Sequence, residues 1–318
     1  MAKRLLGLSR RDAMKLTAVA GVGAVAGTQA LAAQTKKPLV LDAQVHAYDR
    51  NGPNRPWAAF FDGPTEVTGD QMVACMDQAG VDGAIMVSVF TIYKFDTSYM
   101  EAVYAKYPTR FKMVKPIDVN DPAAPEQIAA WAPVKGAASV RVLLMPGVTS
   151  EDAADPKLNA ALAAAAKHSI PMNVHCPGRL DQVAQIAKRN PNTQIIIDHL
   201  GLDHPLQPPK PAGDLWGELP KLLACAAYPN VIVKLSATCN LSHQDFPFTD
   251  IWGNISRIID AFGVNRCMWG TDWTRSLKLL TYKQQVDAYL QSPRLSESDK
   301  SAIMSGTLAR VYKWPQKA

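Results

Sequence analysis

Gln194-Ile195-Ile196-Ile197-Asp198-His199-Leu200 sets three isoleucines in a row and then stops on an acid and an imidazole. A run without alternation has both faces buried, as in a parallel sheet covered on each side. The same form recurs along the chain. Apolar runs rich in Val and Ile cover residues 39–48, 84–90, 111–117, 139–144, 171–175, 194–200, 231–236 and 266–273. Their starts lie 23 to 45 residues apart, which leaves room for one crossover helix each. Helical patterns fill residues 68–80, 151–169, 180–189, 214–228, 248–262 and 282–290. In the first of these, Met72, Val73, Met76 and Ala79 share a face and Gly80 can end the helix. Eight strand–helix units predict a closed α/β (β/α)8 TIM barrel rather than an open doubly wound sheet. No glycine-rich phosphate loop follows the first strand, which argues against a dinucleotide fold.

The length of 318 residues suits one such barrel, whose usual size is about 250 residues. Hydrophobic content of 47% and charged content of 19% fit a single sizeable core. The first 33 residues read differently. Lys3, Arg4, Arg10, Arg11 and Lys15 precede a mild Ala-, Gly- and Val-rich run, and Ala30-Leu31-Ala32 follows as a small-residue cleavage pattern. Ser9-Arg10-Arg11-Asp12-Ala13-Met14-Lys15 resembles a twin-arginine export motif, with Ala13 where Phe or Leu is usual. The expectation is a signal over residues 1–33, a single barrel domain over 34–318, a partner in the twin-arginine machinery and a periplasmic or secreted mature protein. That segment carries +4 of the chain's net +6. The basic balance is therefore mostly a targeting feature, and it predicts neither a nucleic-acid partner nor membrane attachment of the mature chain. Five scattered cysteines without CxxC spacing read as buried free thiols.

Chemistry concentrates where polar residues end the apolar runs. His46, His175, His199 and Asp272 close four different strands, and a barrel builds its active site at the carboxyl ends of its strands. One histidine in a strand is more often a satisfied core residue, but three with an acid converge on one mouth. His168, His204 and His243 fall in helix ends or loops. Arg141 interrupts an apolar strand, so it needs an anionic partner, either a substrate carboxylate or a neighbouring strand's acid. Lys115 is a weaker case of the same kind. Asp198 precedes His199 and is expected to face away from it in a structural role. Tyr48, Trp57, Phe60 and Phe61 after the first strand, and Trp273 and Arg275 after the last, either wall a ring-shaped ligand or pack on the barrel rim.

These pieces together resemble the amidohydrolase-2 family, closest to its sugar- and dicarboxylate-lactonase branch. The resemblance rests on Asp42-x-x-x-His46, Asn173-Val174-His175, Ile197-Asp198-His199-Leu200, Val233-Lys234-Leu235-Ser236 and Met268-Trp269-Gly270-Thr271-Asp272-Trp273. It implies a hydrolase that opens a cyclic ester, with Asp272 as general base and His175 and His199 beside it. Arg141, Gln44, Tyr48, Lys115 and Trp273 are then candidates for holding a carboxylate or lactone substrate. The family's first strand usually ends His-x-His, and here Gln44 takes the first place. A carboxamide is a weaker zinc donor than imidazole. His46, His175 and Asp272 would then hold one zinc weakly, or catalysis proceeds without metal as in some members of the branch. The competing readings are a metal-dependent decarboxylase of an aromatic or unsaturated acid, against which Gln44 weighs, and a non-catalytic binding barrel.

Overall fold

Each of the eight apolar runs becomes a strand. The computed structural model describes residues 38–208 and 210–315, so the expected export signal over residues 1–33 lies outside the described residues. The strands are β1 (Leu41–Val45), β2 (Gly83–Val87), β3 (Phe111–Pro116), β4 (Ala137–Leu143), β5 (Met172–His175), β6 (Ile195–Ile197), β7 (Val231–Ser236) and β8 (Cys267–Gly270). They pair in chain order, every neighbour parallel. Helices run between them, and the expected TIM barrel is the fold found.

Most strands are shorter than their apolar runs at the carboxyl end. The backbone turns left-handed at His199 (φ 49°) and Asp272 (φ 50°), and an extended strand cannot continue through that conformation. His199 and Asp272 therefore sit just past their strands, whereas His175 is the last residue of β5.

The helices follow local signals. Helix Gly69–Ala79 starts on a reciprocal cap, in which Thr68 accepts from the Gln71 amide and Gln71 accepts from that of Thr68, and it ends on Gly80 at φ 75°. Helix Leu180–Arg189 matches its expected bounds. Helices Ser98–Lys106 and Ala124–Trp131 were not expected. No helix of the described residues is long and apolar enough to cross a membrane.

The barrel interior is layered. At the amino-terminal end Leu41, Ile85, Val114, Ile196, Ile232 and Met268 pack against Leu308 and Tyr312 from the last helix and the residue after it, which plug that end. The larger apolar layer lies between the strands and the outer helices. The seam between β1 and β8 is stitched by one buried carboxylate. Asp42 Oδ1 accepts from the Gln44 and Thr271 amides at 2.9 Å each, and Oδ2 from the Thr271 and Tyr282 hydroxyls at 2.6 and 3.0 Å. The Asp272 amide then donates to Gln44 O at 2.8 Å. Gly270 permits this closeness, since a Cβ there would lie 3.1 Å from Gln44 N and 3.2 Å from Asp42 Oδ1. Of the five cysteines, all free, only Cys75 is not fully buried.

Candidate active site

Above the apolar plug lies a polar floor. Arg141 and Asn173 are cross-strand partners in β4 and β5. Asp198 is the floor's one carboxylate. Its Oδ2 accepts from Arg141 Nε at 2.8 Å, and its Oδ1 from Lys234 Nζ and Asn173 Nδ2 at 3.0 Å each. Burial works to raise its pKa, but Lys234 and Arg141 overcome this and hold it well below the usual carboxylate range. Lys234 also donates to Gln44 Oε1 at 2.8 Å. The expectation that Asp198 faces away from His199 needs correction. His199 leaves the strand through its left-handed turn, alternation ends there, and both side chains turn inward.

The mouth stands on this floor. His46, His175, His199 and Asp272 all line one cavity of about 340 Å³, with Arg141, His204 and Arg275 among its other walls. Asp272 is 6% exposed. Its Oδ1 lies 3.1 Å from His46 Nε2 and its Oδ2 3.7 Å from His199 Nε2. Burial would raise the Asp272 pKa, yet the neighbouring His199 and His46 hold it well below the usual range. His46 Nδ1 lies 2.7 Å from Val87 O. A carbonyl only accepts, so this nitrogen carries a proton and Nε2 is the atom presented to Asp272. Ser236 Oγ orients His199, 2.9 Å from Nδ1 and accepting from the His199 amide at 3.2 Å. Burial lowers the His199 pKa to about 4, with Asp272 pulling upward. His175 is held well below its ordinary value, first by burial and then by Arg141. Burial thus favours neutral imidazoles at His175 and His199 around the ionised Asp272, and Arg141, Arg275 and Asp203 also stand on the cavity wall.

Three strand ends here carry non-glycine residues in the left-handed region: His199, Ala237 and Asp272. Such conformations cluster at functional sites, where the surrounding structure over-determines them. His204 lies between two of them, its ring nitrogens 2.8 Å from His199 O and 3.0 Å from Ala237 O, and as a neutral imidazole it donates to one of the two.

Other expected residues lie elsewhere. Gln44 is fully buried beneath the cavity, with its oxygen taken by Lys234. Tyr48 packs edge-on against Trp57 and Phe61, at 5.9 and 5.4 Å, and its hydroxyl donates to Pro64 O. Lys115 sits on the outer face of β3, its Nζ 5.6 Å from the Trp131 ring of a flanking helix. Trp273 packs edge-on against Tyr282 at 5.6 Å. None of these four lines the cavity. Tyr48, Trp57, Phe61 and Trp273 pack on the rim, whereas Phe60 is 87% exposed. Sequence reasoning counted Lys234 within the family-like stretch Val233–Ser236 but gave it no role, although a lone charge in an apolar strand is the signal that singled out Arg141. It also left His204 without a role, since loop residues carry no periodicity to place them, whereas Arg275, read as walling a ligand or packing on the rim, does line the cavity.

The sequence left open one weakly held zinc at His46, His175 and Asp272, or none. His46 and Asp272 meet, but among the described residues no group of three or more His, Cys, Asp or Glu side chains is arranged to hold a metal ion. The remaining oxygen donor of the first strand, Gln44 Oε1, faces an ammonium. These residues do not fit a divalent cation.

A family model described as "Amidohydrolase" matches residues 41–314. An L-fucono-1,5-lactonase of Burkholderia ambifaria is 25% identical over 197 residues, covering 62% of this chain and 66% of that protein's own length, just short of two-thirds. An amidohydrolase structure from Burkholderia multivorans with bound zinc superposes with a TM-score of 0.72 at 21% identity, over 87% of this chain and 100% of that one. A probable 2-pyrone-4,6-dicarboxylic acid hydrolase from Acinetobacter baumannii, with citric acid bound, gives 0.69 at 16% identity, over 86% and 99%. At such identities the solved structures speak for the fold alone.

Proposed function

The chain belongs to the amidohydrolase family, and from that premise we propose that its barrel mouth hydrolyses the cyclic ester of a sugar acid or a dicarboxylate. The observation that carries the reading is Asp272, a buried carboxylate fixed between His46 and His199 on the wall of a cavity that also holds a guanidinium. The cavity of about 340 Å³ suits a single small ring, since small-ligand sites start near about 300 Å³. The lactonase relative points to the same class of bond.

In this reading Asp272 accepts a proton from water as its oxygen attacks the lactone carbonyl. A carboxylate held well below its usual pKa is a weak base. It takes that proton only as the new C–O bond forms, and it returns it readily to the ring oxygen that leaves. Arg141 and the N–H groups of His175 and His199 face the developing oxyanion, where one donor is typically worth about 10²–10³ in rate. No step is routed through a metal.

The test is a proton-release assay on a panel of lactones and aromatic carboxylates, with and without chelator, on the wild type and on Asp272→Asn. The expected result is lactone hydrolysis that survives chelation and falls more than about 10³-fold in the variant, with the fold intact. Near-normal turnover by Asp272→Asn would overturn the base assignment. Activity on aromatic acids alone would overturn the substrate class.

A further inference from the structure

Lys234 is a lysine without surface. It is fully buried in β7, and its ammonium bonds to Asp198 Oδ1 at 3.0 Å and to Gln44 Oε1 at 2.8 Å. An ammonium has only protons to give. It therefore fixes which end of the Gln44 carboxamide points down: the oxygen faces Lys234, and the nitrogen faces His46 Nε2 at 3.4 Å. His46 cannot turn away, because its other nitrogen is committed to Val87 O. Beside His46, the first strand thus presents N–H groups where a cation would need lone pairs.

The charges agree with this. Arg141 and Lys234 share the single carboxylate of Asp198, which leaves one positive charge in excess in the floor. Asp272 above it restores balance. A divalent cation added at His46 and Asp272 would leave that excess uncompensated in a water-poor interior, which is costly.

We infer that Lys234 and Gln44 act as a pair in place of a metal. The ammonium supplies the fixed positive charge beneath the mouth and turns Gln44 so that the His46–Asp272 centre keeps its arrangement with no divalent ion. Lys234 is then a positioning residue acting through Gln44. The inference takes the mouth as the reacting centre proposed above. Its readout is metal uptake, so a failed lactone assay and a failed metal test are distinguishable.

The experiment titrates zinc into the wild type, Gln44→His, Lys234→Met and Gln44→His/Lys234→Met. Calorimetry and zinc content after dialysis against chelator are the readouts, and near-UV circular dichroism reports folding. Lys234→Met leaves Asp198 with Arg141 and Asn173, a compensated pair, so the fold is expected to hold. Gln44→His/Lys234→Gln is carried in parallel to keep a polar group against Asp198. The wild type and Gln44→His are expected to retain well under one equivalent of zinc. A folded double variant is expected to retain one equivalent and to bind at least about tenfold tighter than Gln44→His, a gain of about 1.4 kcal/mol. The inference is overturned if the wild type keeps a chelator-resistant equivalent. It is equally overturned if Gln44→His alone binds as tightly as the double variants, or if both double variants gain nothing.

Discussion

Arg141 shows how much one side chain must satisfy. A guanidinium in an apolar strand needs an anion, and Asp198 supplies it through Nε at 2.8 Å. Among the described residues its terminal nitrogens make no other bond, and Arg141 also reaches the cavity wall. The two readings open at the sequence level are therefore compatible. Arg141→Met should fold, since Asp198 keeps Lys234 and Asn173 as partners. For a carboxylate-bearing lactone the substitution is expected to cost about 10- to 100-fold in kcat/KM, mostly through KM, because a hydrogen bond to a charged group is worth about 1.5–3 kcal/mol. A neutral lactone should be affected far less. Equal losses on both substrates would mean that Arg141 only supports the floor. Tyr48 and Lys115 teach the opposite lesson. Their residue types suited a ligand site, but one faces an aromatic cluster and the other an outer helix.

At the level of elements, strand existence was legible and strand ends were not. Three consecutive isoleucines announce a doubly buried strand, yet nothing local shows that the chain turns left-handed at His199 after only three residues of β6. Helix Ser98–Lys106 was missed because only Met100 and Val103 of its nine residues are buried, too few to mark a stripe. The β1–β8 seam is the element-level feature with the sharpest consequence. Asp42→Ala would strand two buried amides and two buried hydroxyls, and should cost on the order of 3 kcal/mol or more in chemical denaturation. Gly270→Ala pushes a Cβ against Gln44, Asp42 and Ser236, and should cost about 1–3 kcal/mol by overpacking. If both variants unfold at wild-type denaturant concentrations, the seam is not what closes the barrel.

For the molecule as a whole, buried titratable groups set the response to pH. The folded His199 has a pKa of about 4, against about 6.5 in an unfolded chain. Between those values the unfolded chain holds a proton that the folded one lacks, so stability falls as pH drops. For His199 alone the loss is about 2 kcal/mol at pH 5. His175 and His204, lowered by burial, act in the same direction. Asp42 opposes them. Burial raises its pKa to about 6, above an unfolded value of about 3.9, so the folded form protonates first and gains stability as pH falls through 6. Three groups outweigh one, and the thermal midpoint should drop between pH 7 and pH 5. A flat or rising midpoint would show the histidines to be charged in the folded protein.

The chain's own pattern determined the barrel, the count and order of its strands, and the four residues His46, His175, His199 and Asp272 that share its mouth. These follow from local rules: doubly buried runs make parallel strands, and strand ends on one side of a barrel converge. Only the tertiary structure decided who meets whom. Lys234 and Gln44 stand 190 positions apart, and Arg141 finds Asp198 two strands away. Which side chains point inward at the same height depends on the tilt and stagger of the closed sheet and on left-handed breaks at its strand ends. Those are properties of closure, which residue spacing along the chain does not encode.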